Sequence, residues 1–264
     1  RLNTWYGWDG KSDTLWAHSI SPILSSRELG MTPEELQPRI AKIPVLSDAY
    51  RVVFGRDVTG DDAETAMVNI AKALAAYQET ITSGRSKFDK FRDALLAGHS
   101  IGIAAYPEAA QRGAKLFVGR ARCDLCHFGA NFTNGEFHNI GLPRVTERSR
   151  VDKGRYGGIV ILQKSRYNLL GPFNDDVERT TAGFTQHVKP TQHNRGEFRV
   201  PSLRNLTQTA PYMHDGSKAT LEDVVRHYSG TLEDRAGKDE DDLLRPLNLN
   251  EKEIADLVAF LRTL

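Results

Sequence analysis

The chain has 264 residues, 39% of them apolar and 26% charged, a balance that excludes a disordered polymer and leaves room for one large or two medium domains. Its 35 basic and 34 acidic side chains give a net charge of +1, so the overall field does not call for nucleic acid. No apolar run reaches the roughly 18 residues that a membrane-spanning helix needs, and no membrane span is expected.

The chain opens on Arg1 and not on a methionine, which predicts a processed or truncated product. Thr32, Pro33, Glu34 and Glu35 place a cap threonine, a proline at the first helical position and a returning glutamate in register, a capping box that opens a helix. DDAETAMVNIAKALAAYQETI, residues 61–81, repeats alanine and apolar residues every three or four positions and predicts a long helix. A further helix is predicted from Pro107 through YPEAAQRGAKLFVG, stopping shortly before Cys123. Between Phe128 and Val200 no sustained period appears, and Gly, Asn, Thr and Arg dominate. A loop that long in a compact domain is usually functional or wraps something. Thr220 to Asp223 opens a helix that runs through Tyr228 and stops at Gly230. TLEDRAGKDEDDLLR, residues 231–245, mixes acids and bases as a solvated face does. Asn250, with Glu253 three residues on, caps a last helix whose Ile254, Leu257, Val258 and Leu261 form one apolar stripe. The fold expected is mainly α, in two helical blocks, 1–103 and 104–264, joined near GHSIGIAAY.

CDLCH, residues 123–127, holds both cysteines of the chain. Residues i, i+3 and i+4 of a helical turn share a face. Cys123 and Cys126 can therefore reach the two vinyl edges of one porphyrin while His127 points at its iron, the pattern of c-type haem attachment. A zinc site would need a second ligand pair, and there is no further cysteine. A thioredoxin-like redox pair would need a βαβ context, which this helical chain lacks. A covalent haem also explains the irregular stretch, because loops can fold over it, and it points to an extracytoplasmic compartment. With His127 as the proximal ligand, Met213, His214, His227 and Tyr228 are all candidates for the opposite side of the iron. A thioether would raise the potential and suit electron transfer, while a phenolate would stabilise oxidised iron. The pattern alone leaves this open, since Tyr228 shares the apolar stripe of Leu221 and Val224 and reads equally well as a core tyrosine.

WYGWDGKSDTLWAHSISPILSSRELG, FTNGEFHNIGLP, FRVPSLRNLTQTAPYMHDGSKATLEDVVRHYSG and LVAFLRTL closely resemble the bacterial dihaem cytochrome c peroxidase superfamily, and within it the MauG-type branch. The resemblance runs from about Trp5 to the C-terminus and implies cytochrome c-like haem domains with long irregular loops. It implies that 1–103 is the remainder of the first, peroxidatic haem domain and 104–264 the C-terminal haem domain. In the family the second ligand of the C-terminal haem lies fourteen residues past the histidine of PYMHDG, which from His214 lands on Tyr228. Peroxidases fed by a cytochrome carry methionine there and MauG-like enzymes tyrosine, so the resemblance favours Tyr228 and leaves Met213 to packing. It further matches Trp8 to a tryptophan between the two haems, with Lys11 replacing the usual arginine, and Glu28 to an acid–base glutamate beside the peroxide-binding haem. Backbone carbonyls of Thr209 and Pro211 match those that help hold a calcium between the haems.

The resemblance implies two CxxCH motifs, the first ahead of WYGWDG, where this chain has none. One haem c is thus expected on this chain and two in the complete protein. QKSRYNLLGPFNDD lengthens the loop before RGEFRV, either as haem cover or as the insertion seen in relatives that oxidise a partner's tryptophan. The activity implied is a periplasmic oxidoreductase. It would use hydrogen peroxide to reach a high-valent haem state and oxidise a protein partner, with a tryptophan side chain as target. The alternatives are a peroxidase that scavenges peroxide with electrons from a small cytochrome or cupredoxin, and a passive electron-transfer cytochrome.

Overall fold

The computed structural model describes residues 3–142, 151–230 and 244–264, so the acid–base stretch 231–245 lies, apart from Leu244 and Arg245, outside the described residues. In chain order the first helices are α1 (Leu15–Leu24), α2 (Pro33–Ala41), α3 (Pro44–Phe54), α4 (Ala63–Thr80), α5 (Lys87–Leu96) and α6 (Ser100–Ala104). They are followed by α7 (Glu108–Val118), α8 (Arg155–Lys164), α9 (Gly183–His187), α10 (Leu221–Ser229) and α11 (Glu251–Leu261). The described strands are two short ones, β1 (Phe137–His138) and β2 (Phe198–Arg199), paired antiparallel with Phe137 opposite Arg199. The mainly α fold read from the sequence is the fold found. Among the described residues no helix is long and apolar enough to cross a membrane.

Helix starts follow the caps. Thr32 and Glu35, Thr220 and Asp223, and Asn250 and Glu253 each exchange side chain and backbone as capping boxes, and Ser86 and Asp89 do the same at α5. Each such cap contributes about 1 kcal/mol.

The chain forms two compact, interleaved units, Arg1–Thr82 with Arg155–Gln192, and Ser83–Gly154 with His193–Leu264. The single border expected near residue 103 differs from this division, because α5 and α6 go with the second unit and residues 155–192 with the first. Polar contacts show why. Arg155, only 4% exposed, donates to the carbonyl of Gly10 at 2.7 Å, with its guanidinium 4.3 Å from the ring centre of Trp5. Buried Asp13 accepts from the Leu169 amide and the Thr185 hydroxyl, both at 2.8 Å. At the same place α8 crosses the N-terminal loop so closely that a Cβ on Gly158 would lie 1.9 Å from the Asp9 carbonyl oxygen. In the same unit α1 and α2 pack on α4 through Ile20, Ile23, Leu36, Met67, Val68 and Ala71.

The helix α8 corrects the expectation of an aperiodic stretch from 128 to 200. Its buried positions are Arg155, Gly158, Ile159 and Leu162, an i, i+3, i+4, i+7 series. An arginine and a glycine carry half of that series, so a scan for large apolar residues passes over it.

In the second unit α7 and α11 cross at Gly113, where a Cβ would lie 2.0 Å from the carbonyl oxygen of Asp256. Arg112 grips the carboxylate of Asp256 with two donors, each at 2.7 Å. The core holds Phe117, Phe132, Leu221, Val225, Phe260 and the predicted stripe of Ile254, Leu257, Val258 and Leu261. Each large side chain removed from water there contributes roughly 1.5–3 kcal/mol.

Candidate haem site

Four residues past the end of α7 the backbone turns through Arg122, at φ +53°, into one 3₁₀ turn over Cys123–Leu125. The amides of Cys126 and His127 both donate to the carbonyl of Cys123, at 3.3 and 2.9 Å. That turn puts Cys123, Cys126 and His127 together on one short piece of backbone. Both thiols are free and half-buried. Burial pushes the Cys123 thiol up to about 12, whereas a redox-active CxxC needs a thiol lowered below its ordinary value. Among the described residues no group of three or more His, Cys, Asp or Glu side chains is arranged to hold a metal ion.

His127 is fixed in one tautomer. Its Nδ1 lies 2.9 Å from the carbonyl oxygen of Phe132, and since a carbonyl only accepts, Nδ1 carries the proton and Nε2 keeps the lone pair. Burial lowers its pKa, against the pull of the Phe132 and Pro201 carbonyls, and nearby His138 adds to that, so the ring is held neutral. Two thiols and a neutral imidazole whose Nε2 keeps its lone pair, all on one turn, are the groups that a covalently attached haem requires.

The carbonyl of Phe132 is aimed by its surroundings. Phe132 adopts φ +51°, in the left-handed region, although its side chain is buried. Its ring meets Phe88 edge-on at 5.4 Å and lies under the Arg204 guanidinium at 5.0 Å. The asparagine that follows the motif's loop, Asn134, returns its amide to the carbonyl of Cys126 at 2.8 Å.

The other expected residues fall as follows. Tyr228 lies on the last turn of α10, half-buried, in the same unit as the CDLCH turn. Its neighbour His227 places Nε2 2.8 Å from the carbonyl of Ile140, so that nitrogen is a donor committed to the backbone. Met213 is half-buried at φ +70°. His214 stacks on Phe198, with ring centres 3.4 Å apart, and burial keeps it neutral. Thr209 and Pro211 are exposed in the loop ahead of α10. Trp8, 42% exposed, and Glu28, on the turn after α1, belong to the first unit. Two residues escaped the sequence reading, Arg204 of PSLRN and Asp89. They form a bidentate pair at 2.9 Å although 115 positions separate them, and Arg204 also donates to the carbonyl of Ala130 beside the CDLCH turn.

A sequence profile described as di-haem cytochrome c peroxidase matches residues 1–95. The methylamine utilization protein MauG of Methylorubrum extorquens is 30% identical over 261 residues, 99% of this chain and 61% of that protein. The cytochrome-c peroxidase IdrP1 of Denitromonas iodatirespirans is 34% identical over 234 residues, 87% of this chain and 56% of that protein. The chain thus spans about six-tenths of the length of the curated relatives it matches. The solved structure of the diheme peroxidase BthA from Burkholderia thailandensis E264 shares the fold, with a TM-score of 0.72 at 21% identity, over 98% of this chain and 65% of that one. A haem-ready CDLCH turn in a helical fold, and relatives of this kind along nearly the whole sequence, lead to one assignment: the chain belongs to the dihaem cytochrome c peroxidase and MauG family.

Proposed function

We propose that the chain works within a periplasmic dihaem oxidoreductase that uses hydrogen peroxide to oxidise a protein partner, with a tryptophan side chain as the target. The observation that carries this reading is the CDLCH turn, with two free thiols and a histidine whose Nδ1 donates to the Phe132 carbonyl. Cys123 and Cys126 would tether one haem c, and His127 and Tyr228 would be the side chains that hold its iron. The bound group would supply the reaction with peroxide and the storage of oxidising equivalents. A phenolate oxygen at Tyr228 suits storage because an anionic ligand favours oxidised iron. Trp8 would serve as a relay for an electron hole, and the carboxyl of Glu28 would hold and return a proton where peroxide is bound. The carbonyls of Thr209 and Pro211 contribute to a calcium site, as oxygen donors suited to a hard cation. The second haem of the family has no CxxCH motif in these 264 residues.

A second reading, scavenging of peroxide with electrons from a small redox protein, is favoured by the 34% identity to a cytochrome-c peroxidase. Tyr228→Met in the complete protein separates the two. Under the first reading the unsubstituted protein shows a long-lived change in its haem spectrum after peroxide. The variant loses that change and turns over faster with reduced cytochrome. Rapid turnover with reduced cytochrome in the unsubstituted protein, and no long-lived change, would instead establish the scavenger.

A further inference from the structure

We propose that Arg204, braced by Asp89, is the positioning residue that holds the Phe132 carbonyl on His127 Nδ1 and thereby sets how strongly that ligand donates to the haem iron. The inference rests on Cys123, Cys126 and His127 being the attachment site.

A bulky residue at positive φ costs of order 1–3 kcal/mol and persists only where its surroundings over-determine it. At Phe132 they do. Arg204 spends all five of its N–H donors there. Nε and one Nη2 hydrogen go to the Ala130 carbonyl at 2.9 and 2.7 Å, and the other Nη2 hydrogen goes to Asp89 Oδ1 at 2.9 Å. The two Nη1 hydrogens go to Asp89 Oδ2 at 2.9 Å and Ser86 Oγ at 3.1 Å. The guanidinium plane also covers the Phe132 ring. From the same segment Ser202 Oγ donates to the Asn131 carbonyl, and Thr133 Oγ1 donates to that of Val200, both at 2.7 Å. Residues 130–133 are thus clamped from PSLRN, and PSLRN is clamped from the first turn of α5. Burial opposes a charge on Asp89, but Arg204 and the Ser86 amide and hydroxyl outweigh it and hold the carboxyl at about 2. A lysine at 204 offers three donors at a point and cannot reproduce the fork.

An acceptor held on the distal nitrogen of a ligating imidazole makes the ligand more basic and fixes its ring plane. Releasing that acceptor weakens donation to oxidised iron and raises the haem potential.

The experiment compares the complete, haem-loaded protein with Arg204→Lys, Asp89→Asn, the double variant, and Arg112→Lys as a control that loosens the other clamp of the same unit. Haem content is read by pyridine haemochrome, potential by spectroelectrochemical titration, and axial geometry by low-temperature EPR. Arg204→Lys is expected to keep its haem and to shift the ferrous-to-ferric ratio about tenfold towards ferrous, about 59 mV for one electron, with altered g-values. Asp89→Asn shifts the same way by less and leaves the double variant no further displaced than Arg204→Lys. Arg112→Lys loses stability but keeps the potential. Full haem loading with an unchanged potential and unchanged g-values in both single variants overturns the proposal, as does an equal shift in Arg112→Lys. An unsubstituted protein without covalent haem overturns the attachment site itself, and the proposal with it.

Discussion

In the first unit the loop that carries Trp8 is held by residues far along the chain, through Arg155 on Gly10 and through Leu169 and Thr185 on Asp13. In the second unit the CDLCH turn is held first by its own backbone and by Phe132 five residues on, and only the loop behind it, residues 130–133, is clamped from far along the chain by Ser202 and Arg204. Under the roles proposed for Trp8 and His127, the contrast separates two ways to place a redox side chain. An indole needs only a place and a distance, and distant polar contacts can give it those. A metal ligand needs a direction at one nitrogen atom, and that comes from a short loop whose dihedral angles are forced.

The hardest test of this contrast is Gly113→Ala. The added methyl would meet the Asp256 carbonyl at 2.0 Å, so α7 and α11 must part, at a cost of about 3 kcal/mol or more in thermal unfolding, with loss of covalent haem. The counterpart in the first unit, Gly158→Ala, is expected to displace the loop of Trp8 and slow oxidation of the protein partner while haem content stays full. A fall in haem content there would show that the two arrangements are not separable.

Acid should act on the units with opposite sign. Asp89 is held at about 2 against an ordinary 3.8, so its stabilisation is present above about pH 4 and is lost as pH falls through about 2. That loss is about 2 kcal/mol. Burial raises Asp13, in spite of the Leu169 amide and the Thr185 hydroxyl, so its ionised form is the disfavoured one and the first unit gains as pH falls through that raised value towards 3.8. Amide exchange followed from pH 6 to pH 3 should show protection weakening in α5 and not in α1. Asp89→Asn should remove the trend in α5, and parallel loss in both helices would refute the opposed signs.

Smaller effects sharpen the same picture. Arg112→Met leaves the nearly buried carboxylate of Asp256 without its bidentate partner. Because the arginine is itself 45% exposed, the cost is expected near 1–2 kcal/mol by denaturant titration. Thr220→Ala removes the cap of α10 and should cost about 1 kcal/mol, seen as faster exchange in the first turn of that helix.

Where structure depends on neighbours in sequence, it could be read in advance. The caps at Thr32, Thr220 and Asn250, the stripe of α11 and the single turn of CDLCH all follow from spacing and local chemistry. The missed elements depend on partners that spacing does not reveal. Arg155 looks like a surface residue until the Gly10 carbonyl is seen above it. Arg204 finds Asp89 only through the fold, and a phenylalanine carries no propensity signal for the left-handed angle that Phe132 adopts. The resemblance pointed to PSLRN as a block without saying what its arginine does.

The chain leaves the first unit after Thr82 and returns to it only at Arg155. During synthesis from the N-terminus the CDLCH segment therefore emerges before Arg155, Leu169 and Thr185 exist to close the earlier unit. Thiol chemistry at the cysteines and completion of the Trp8 loop are staggered in time by gene order alone. A truncation at residue 103 would keep every helix from α1 to α4 and still leave their unit without the fastenings that come from residues 155–192.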